Sequence, residues 1–300
     1  MRHLRGCLIL LASLVWTCSA VSAEAPAVGE AYERVVQLPV ALSLPDGKRI
    51  EHDIPVVRYQ PAGRGPFPLA IINHGRGTNR ALPERFTYAD AARYLVSQGF
   101  VVLVPTRLGY GETSKLFDPE FSGQQCNMRH YQDAMSAGVE QVLAVLDYAR
   151  QQAEIDAAHT VILGHSVGGL ITLGVAARNP TGLIGYVNFA GGAGGNPKTR
   201  PGVPCDLLGL DELFVDYGQT TRAPGRWIYA ENDQFFAPVV SQRWFQAFTS
   251  AGAPARFILM PPFRNNGHLL FSQGISLWRP LVADFLHELD IPVRTRKGGK

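Results

Sequence analysis

Along the chain, short apolar runs alternate with longer stretches in which apolar residues recur on one helical face. Residues 34–44 and 50–59 predict an antiparallel entry pair joined by the turn Pro45-Asp46-Gly47. Phe67 to Asn73 is a continuous apolar run, the pattern of a strand buried on both faces, and Phe100 to Val104 is a second. Between them, Arg85 to Gln98 predicts a helix, with Gly99 just past its end. A long helix is expected from about Met128 to Ala153, with Val139, Val142, Leu143 and Leu146 on one face. Further strands are expected at 160–164, 184–190, 226–230 and 256–260, with helices at about 238–250 and 275–289. Repeated β–α alternation without a composition break predicts one α/β domain, a mostly parallel sheet with helices on both faces. Gly191 to Thr221 reads as an irregular insertion of over thirty residues, long enough to form a small lid over about 191–222.

The run Val161-Ile162-Leu163-Gly164-His165-Ser166-Val167-Gly168-Gly169, followed by a helix-compatible stretch from Leu170 to Arg178, changes this outline into a chemical one. Strand, G-x-S-x-G, helix is the order of a nucleophile elbow, in which a serine sits on a strained turn between glycines that let neighbouring backbone pass. The N–H groups after such a serine open a helix, where negative charge is stabilised.

A serine nucleophile needs a base, an orienting carboxylate and an oxyanion hole. With chain order Ser, acid, His, only His268 and His287 of the eight histidines follow the elbow. His287 falls in the terminal helix, whereas His268 follows the strand 256–260 in a loop at the ligand-binding edge of the sheet. Asp233, at the end of Trp227-Ile228-Tyr229-Ala230-Glu231-Asn232-Asp233, is the leading acid, and Glu231 is its competitor. The oxyanion donors are expected at the Val167 N–H and in the loop Asn73-His74-Gly75-Arg76-Gly77, at Arg76 first and Gly75 second. His74 reads as a scaffold residue. The Arg76 side chain is either a plain loop cation or a contact for an anionic substrate.

Composition adds a compartment. Arg2 and Arg5 precede an apolar run from Cys7 to Trp16 and then Val21-Ser22-Ala23, the pattern of a secretory signal peptide over residues 1–23. The run is shorter than the roughly 20 residues a membrane span needs, so no stable insertion is expected after cleavage. A domain of residues 24–300 would be exported to a periplasm or the extracellular space. It retains 26 basic and 25 acidic side chains, a balance with no electrostatic case for nucleic acid. Cys126 and Cys205 remain in it, and an oxidising compartment allows them to pair, tying the lid across the pocket mouth. No cysteine or histidine spacing suggests a metal. Arg294 to Lys300 is a basic tail, most simply a disordered end. Leu207, Leu208, Leu210, Leu213, Phe214 and Tyr217 in the insertion suit either an apolar acyl or aryl pocket wall or the packing that holds a lid down.

Five segments together carry a family resemblance: Asn73-His74-Gly75-Arg76-Gly77, Val104-Pro105-Thr106-Arg107-Leu108-Gly109-Tyr110-Gly111, Gly164 to Gly169, Tyr229 to Asp233, and Gly267-His268-Leu269-Leu270-Phe271. The chain resembles the α/β-hydrolases over roughly residues 65–290, and among them the dienelactone hydrolase-like serine hydrolases. Dienelactone hydrolases proper use a cysteine, and this chain has Ser166 at the elbow. The resemblance therefore implies cleavage of small-molecule carboxylic esters or lactones in general, without a cofactor. Acyl transfer or peptide cleavage on the same residues, or a non-catalytic binding module of the same fold, are the other readings.

Overall fold

The computed structural model describes residues 32–44 and 47–291. The expected signal peptide, the basic tail, and Pro45 and Asp46 of the predicted turn lie outside the described residues. Among the described residues, eight strands form one sheet in the order β1-β2-β4-β3-β5-β6-β7-β8. β1 (Tyr32–Ser43) and β2 (Arg49–Gln60) make the expected antiparallel pair, and β2 also runs antiparallel to β4 (Val101–Pro105). From β4 onward every pairing is parallel, through β3 (Phe67–Asn73), β5 (Ile155–His165), β6 (Leu183–Phe189), β7 (Gly225–Ala230) and β8 (Ala255–Met260). A parallel sheet is covered on both faces, so its strands need apolar side chains at every position. All seven residues of β3 and all five of β4 are buried.

Alternation along each strand feeds two cores. Leu69, Ile71 and Leu103 point to the face covered by α2 (Tyr131–Arg150), α3 (Val167–Ala177), α4 (Leu207–Thr220) and α5 (Pro238–Ser250). Ala70, Ile72 and Val104 point to the face covered by α1 (Ala89–Ser97), the short α6 (Leu270–Gln273) and α7 (Ile275–Glu288). Among the described residues no helix is long and apolar enough to cross a membrane.

Two helices start later than the sequence predicts. α1 begins at Ala89, because Phe86 and Tyr88 are drawn into an aromatic stack with His74 and the Phe86 N–H bonds the Thr106 hydroxyl at 2.8 Å. α2 begins at Tyr131, because Cys126 is bridged to Cys205 and the Arg129 N–H bonds the Asp206 carboxylate at 2.8 Å.

The larger correction concerns the insertion after β6, which is irregular only as far as Asp206. Leu207–Thr220 is a helix capped by Asp206, whose carboxylate accepts from the Gly209 N–H. Gly218 looks like a helix breaker, yet a Cβ there would lie 2.2 Å from the Phe248 carbonyl oxygen, so the glycine permits close packing of α4 on α5. Leu210, Leu213, Phe214 and Tyr217 are buried in the core. Each such side chain contributes roughly 1.5–3 kcal/mol by burial, so lifting α4 as a flap would forfeit much of a domain's net stability. These residues pack the fold. The segment left to cover the sheet edge is 191–206.

Candidate active site

β5 ends at His165 and α3 begins at Val167, so the whole turn between strand and helix is Ser166. Its backbone sits at φ 57 and ψ −127, a region that costs about 1–3 kcal/mol for a residue with a side chain. The surroundings enforce it: the Ser166 N–H bonds the Phe189 carbonyl at 2.9 Å, and the Ser166 carbonyl accepts from Gly169 at 2.8 Å. Glycine is required on both sides. A Cβ at Gly164 would lie 2.1 Å from the Gly168 oxygen, and one at Gly168 would lie 2.4 Å from the Asn73 and His74 oxygens. The result aims the serine side chain over the C-terminal edge of the sheet. Val167 is the first residue of α3, so its N–H has no acceptor within the helix.

The loops after β7 and β8 meet the serine there. His268 Nε2 lies 3.0 Å from Ser166 Oγ, and His268 Nδ1 lies 2.9 Å and 3.1 Å from the two Asp233 oxygens. An ionised carboxylate only accepts, so the ring proton belongs on Nδ1 and Nε2 is left to accept from the serine hydroxyl. Asp233 is buried and is held by two further donors, the N–H groups of Phe235 (2.8 Å) and Phe236 (3.1 Å). Asn232 and Asn266 stitch the two loops together: Asn232 accepts from the Phe263 N–H at 2.8 Å, and Asn266 accepts from the His268 and Gln234 N–H groups. Glu231, the competing acid, is exposed, and His287 is exposed in the last turn of α7.

Some residues at the site escaped the sequence reading. Phe235 stacks on the His268 ring with centroids 4.2 Å apart, and Phe236 meets it edge-on at 5.5 Å. Their signal was their position two and three residues after the acid. His165 donates from Nε2 to the His268 carbonyl at 2.8 Å, bracing the backbone of that residue. Burial, and then the neighbouring His268, push the His165 pKa from 6.5 down to about 3. A histidine depressed in the folded state is protonated on unfolding between those values. Stability is therefore lost as pH falls from about 6.5 towards 3. His74, also pushed down by burial and then by Arg107, adds in the same direction. The urea midpoint is expected to fall with acid over this window, and to fall less steeply in His165→Asn.

The loop after β3 is anchored by ion pairs that no local pattern announces. Arg76 pairs bidentately with Asp118 at 2.5 Å and reaches Glu120 at 3.0 Å, and Glu120 also takes the wholly buried Arg107 at 2.9 Å. Tyr110 donates its hydroxyl to Glu120 in a short bond. Burial raises the Asp118 pKa, but the Arg76 bond and charge outweigh it and hold the carboxyl below its ordinary value. The Arg76 side chain is thus paired with carboxylates of its own protein. Its backbone remains beside Ser166: a Cβ on the adjacent Gly75 would lie 3.0 Å from Ser166 Cβ. Cys126 and Cys205 form a disulfide that ties the loop after β4 to the loop after β6.

A sequence profile of the Hydrolase_4 family, described as serine aminopeptidase, S33, matches residues 69–256. The chain is 28% identical over 160 residues to a candidate esterase, NocK, of Nocardia uniformis subsp. tsuyamanensis, covering 53% of this chain and 42% of that protein. It is 25% identical over 218 residues to a candidate carboxymethylenebutenolidase of Methylorubrum extorquens, covering 69% of this chain and 66% of that one. The matches therefore span less than two thirds of these relatives' lengths. Among solved structures, the fold is shared with a candidate dienelactone hydrolase of Klebsiella pneumoniae at a TM-score of 0.53 and 19% identity, covering 84% of this chain and 99% of that one.

Proposed function

The chain belongs to the serine aminopeptidase S33 family of α/β-hydrolases, and from that premise we propose that it is an exported serine hydrolase cleaving small carboxylic esters or lactones. The observation that carries this reading is the hydrogen-bonded line from Ser166 through His268 to the buried Asp233. In the proposed cycle His268 Nε2 takes the Ser166 proton as Oγ bonds to the acyl carbonyl carbon. The carbonyl electrons move to oxygen, where the Val167 and Arg76 N–H groups stabilise the charge. Collapse of this intermediate expels the alcohol, which takes the proton from the imidazolium. Water, giving a proton to the same imidazole, then bonds to the acyl carbon; collapse breaks the bond to Ser166 Oγ, which takes that proton back from the imidazolium as the acid leaves. Asp233 holds the tautomer and offsets the positive charge on the ring.

Peptide cleavage and acyl transfer use the same groups, and the family description keeps the first of them in view. Phe235 on the imidazole and the disulfide-tied segment 191–206 favour a compact apolar or aryl acyl group over an extended peptide. Export rests on the pattern of residues 1–23 and agrees with a disulfide, which persists in oxidising compartments. A panel of p-nitrophenyl esters from acetate to long acyl chains, run beside amino-acid p-nitroanilides, tests the reading. Ester turnover well above anilide turnover is expected, and cleavage of anilides alone would replace it with the peptidase reading.

The disulfide closes a loop with a sequence separation of 79 residues, for which chain entropy gives about 4 kcal/mol of stabilisation. The double variant Cys126→Ser/Cys205→Ser is expected to lose a large part of that in urea unfolding. Its KM should also rise for the preferred ester, because the loops after β4 and β6 would no longer be held together.

A further inference from the structure

We propose that His74 is a positioning residue that fixes the Gly75–Arg76 peptide, presenting the Arg76 N–H to the developing oxyanion. The proposal rests on the serine-hydrolase reading and deepens it. The Arg107 backbone N–H reaches His74 Nε2 at 3.0 Å. A backbone N–H only donates, so Nε2 must be the nitrogen with the free lone pair, and the ring proton of a neutral imidazole sits on Nδ1. His74 Nδ1 lies 2.8 Å from the Gly75 carbonyl oxygen and therefore donates to it.

The Gly75–Arg76 peptide is trans, so its N–H points opposite to its C=O. Anchoring the Gly75 oxygen on the imidazole turns the Arg76 N–H away from that ring. The ring itself cannot swing: it lies flat on Phe86 at 3.8 Å and meets the edge of Tyr110 at 4.6 Å. The preceding carbonyl, that of His74, is held by the Arg107 guanidinium at 2.7 Å. The Gly75 N–H faces the Tyr88 hydroxyl at 3.4 Å, while the Arg76 N–H makes no hydrogen bond among the described residues. Burial, with the charge of Arg107, keeps the His74 ring neutral, the state this arrangement needs. Arg107 and Glu120 complete the frame, the first by locking the tautomer and the second by holding both Arg107 and the Arg76 side chain.

The test compares His74→Phe, which keeps the stack and loses both hydrogen bonds, with His74→Asn, whose side-chain amide offers a donor near the position of Nδ1. With p-nitrophenyl acetate, His74→Phe is expected to lower kcat by about 10²–10³-fold, the effect of losing one oxyanion donor, with KM within about twofold. Affinity for a trifluoromethyl ketone, which forms an anionic adduct on serine, should fall in parallel. His74→Asn should recover at least about tenfold of the lost kcat by restoring that donor. A folded His74→Phe with unchanged kcat, or an Asn variant as impaired as Phe, would overturn the proposal. A second measurement is independent of turnover and of how the variants fold. Nitrogen-15 NMR of the wild-type imidazole should report the Nδ1–H tautomer of His74, and an Nε2–H tautomer overturns the assignment. Failure of the hydrolase reading looks different, as wild-type protein that neither turns over esters nor binds the ketone.

Discussion

Ser166→Ala is expected to reduce kcat for a p-nitrophenyl ester by about 10⁶-fold, because the three groups of such a site act as a unit and the nucleophile has no substitute. What survives should be the modest acceleration supplied by binding and by the Val167 and Arg76 N–H groups. KM should change little, since the hydroxyl makes its hydrogen bond to His268 rather than to bound substrate. The fold should also be unaffected. Alanine keeps the backbone turn at φ 57, and the bonds that hold it run through main-chain atoms of Phe189 and Gly169. Steady-state kinetics together with a thermal melt check both halves. Retention of more than about one part in a hundred of wild-type kcat is incompatible with a covalent mechanism at this serine.

Asp233→Asn is the second large effect, expected at about 10⁴-fold in kcat. The substitution keeps the shape and one oxygen, which can go on accepting from the Phe235 and Phe236 N–H groups. It replaces an acceptor-only carboxylate with an amide whose N–H₂ faces His268 Nδ1. The imidazole then gains by moving its proton to Nε2, the nitrogen that must accept from Ser166, and the imidazolium formed during acylation loses its counter-charge. Because Asp233 is buried and Glu231 exposed, Glu231→Gln is the control and should leave kcat within about twofold. Equal losses in both variants would remove the special role of Asp233.

Much of this was legible in the sequence because the chemistry demands local patterns. The strand-elbow-helix at Ser166 is a contiguous word, and chain order narrowed eight histidines to two. Buried parallel strands such as β3 announce themselves as unbroken apolar runs. The unread parts depend on distance or on tertiary override. α4 was hidden because Gly209 and Gly218 lower helix propensity, and only its contact with the Phe248 backbone explains why a glycine belongs there. The Arg76–Glu120–Arg107 network joins the loops after β3 and β4, and single-sequence patterning carries no information on which loop charges will meet. His74 reads as a scaffold residue without a defined task, and His165 is only a letter of the elbow motif. Their roles depend on which atom donates to which, and that is written only in three dimensions.

The central claim is that Ser166 is a nucleophile activated by His268 and Asp233. Its most direct test is labelling with a fluorophosphonate, followed by intact-mass measurement, peptide mapping and residual ester turnover. The account predicts one adduct per chain, located on Ser166, with turnover lost in proportion to labelling. Folded wild-type protein that stays unlabelled, or that carries the label elsewhere while turnover persists, would contradict it.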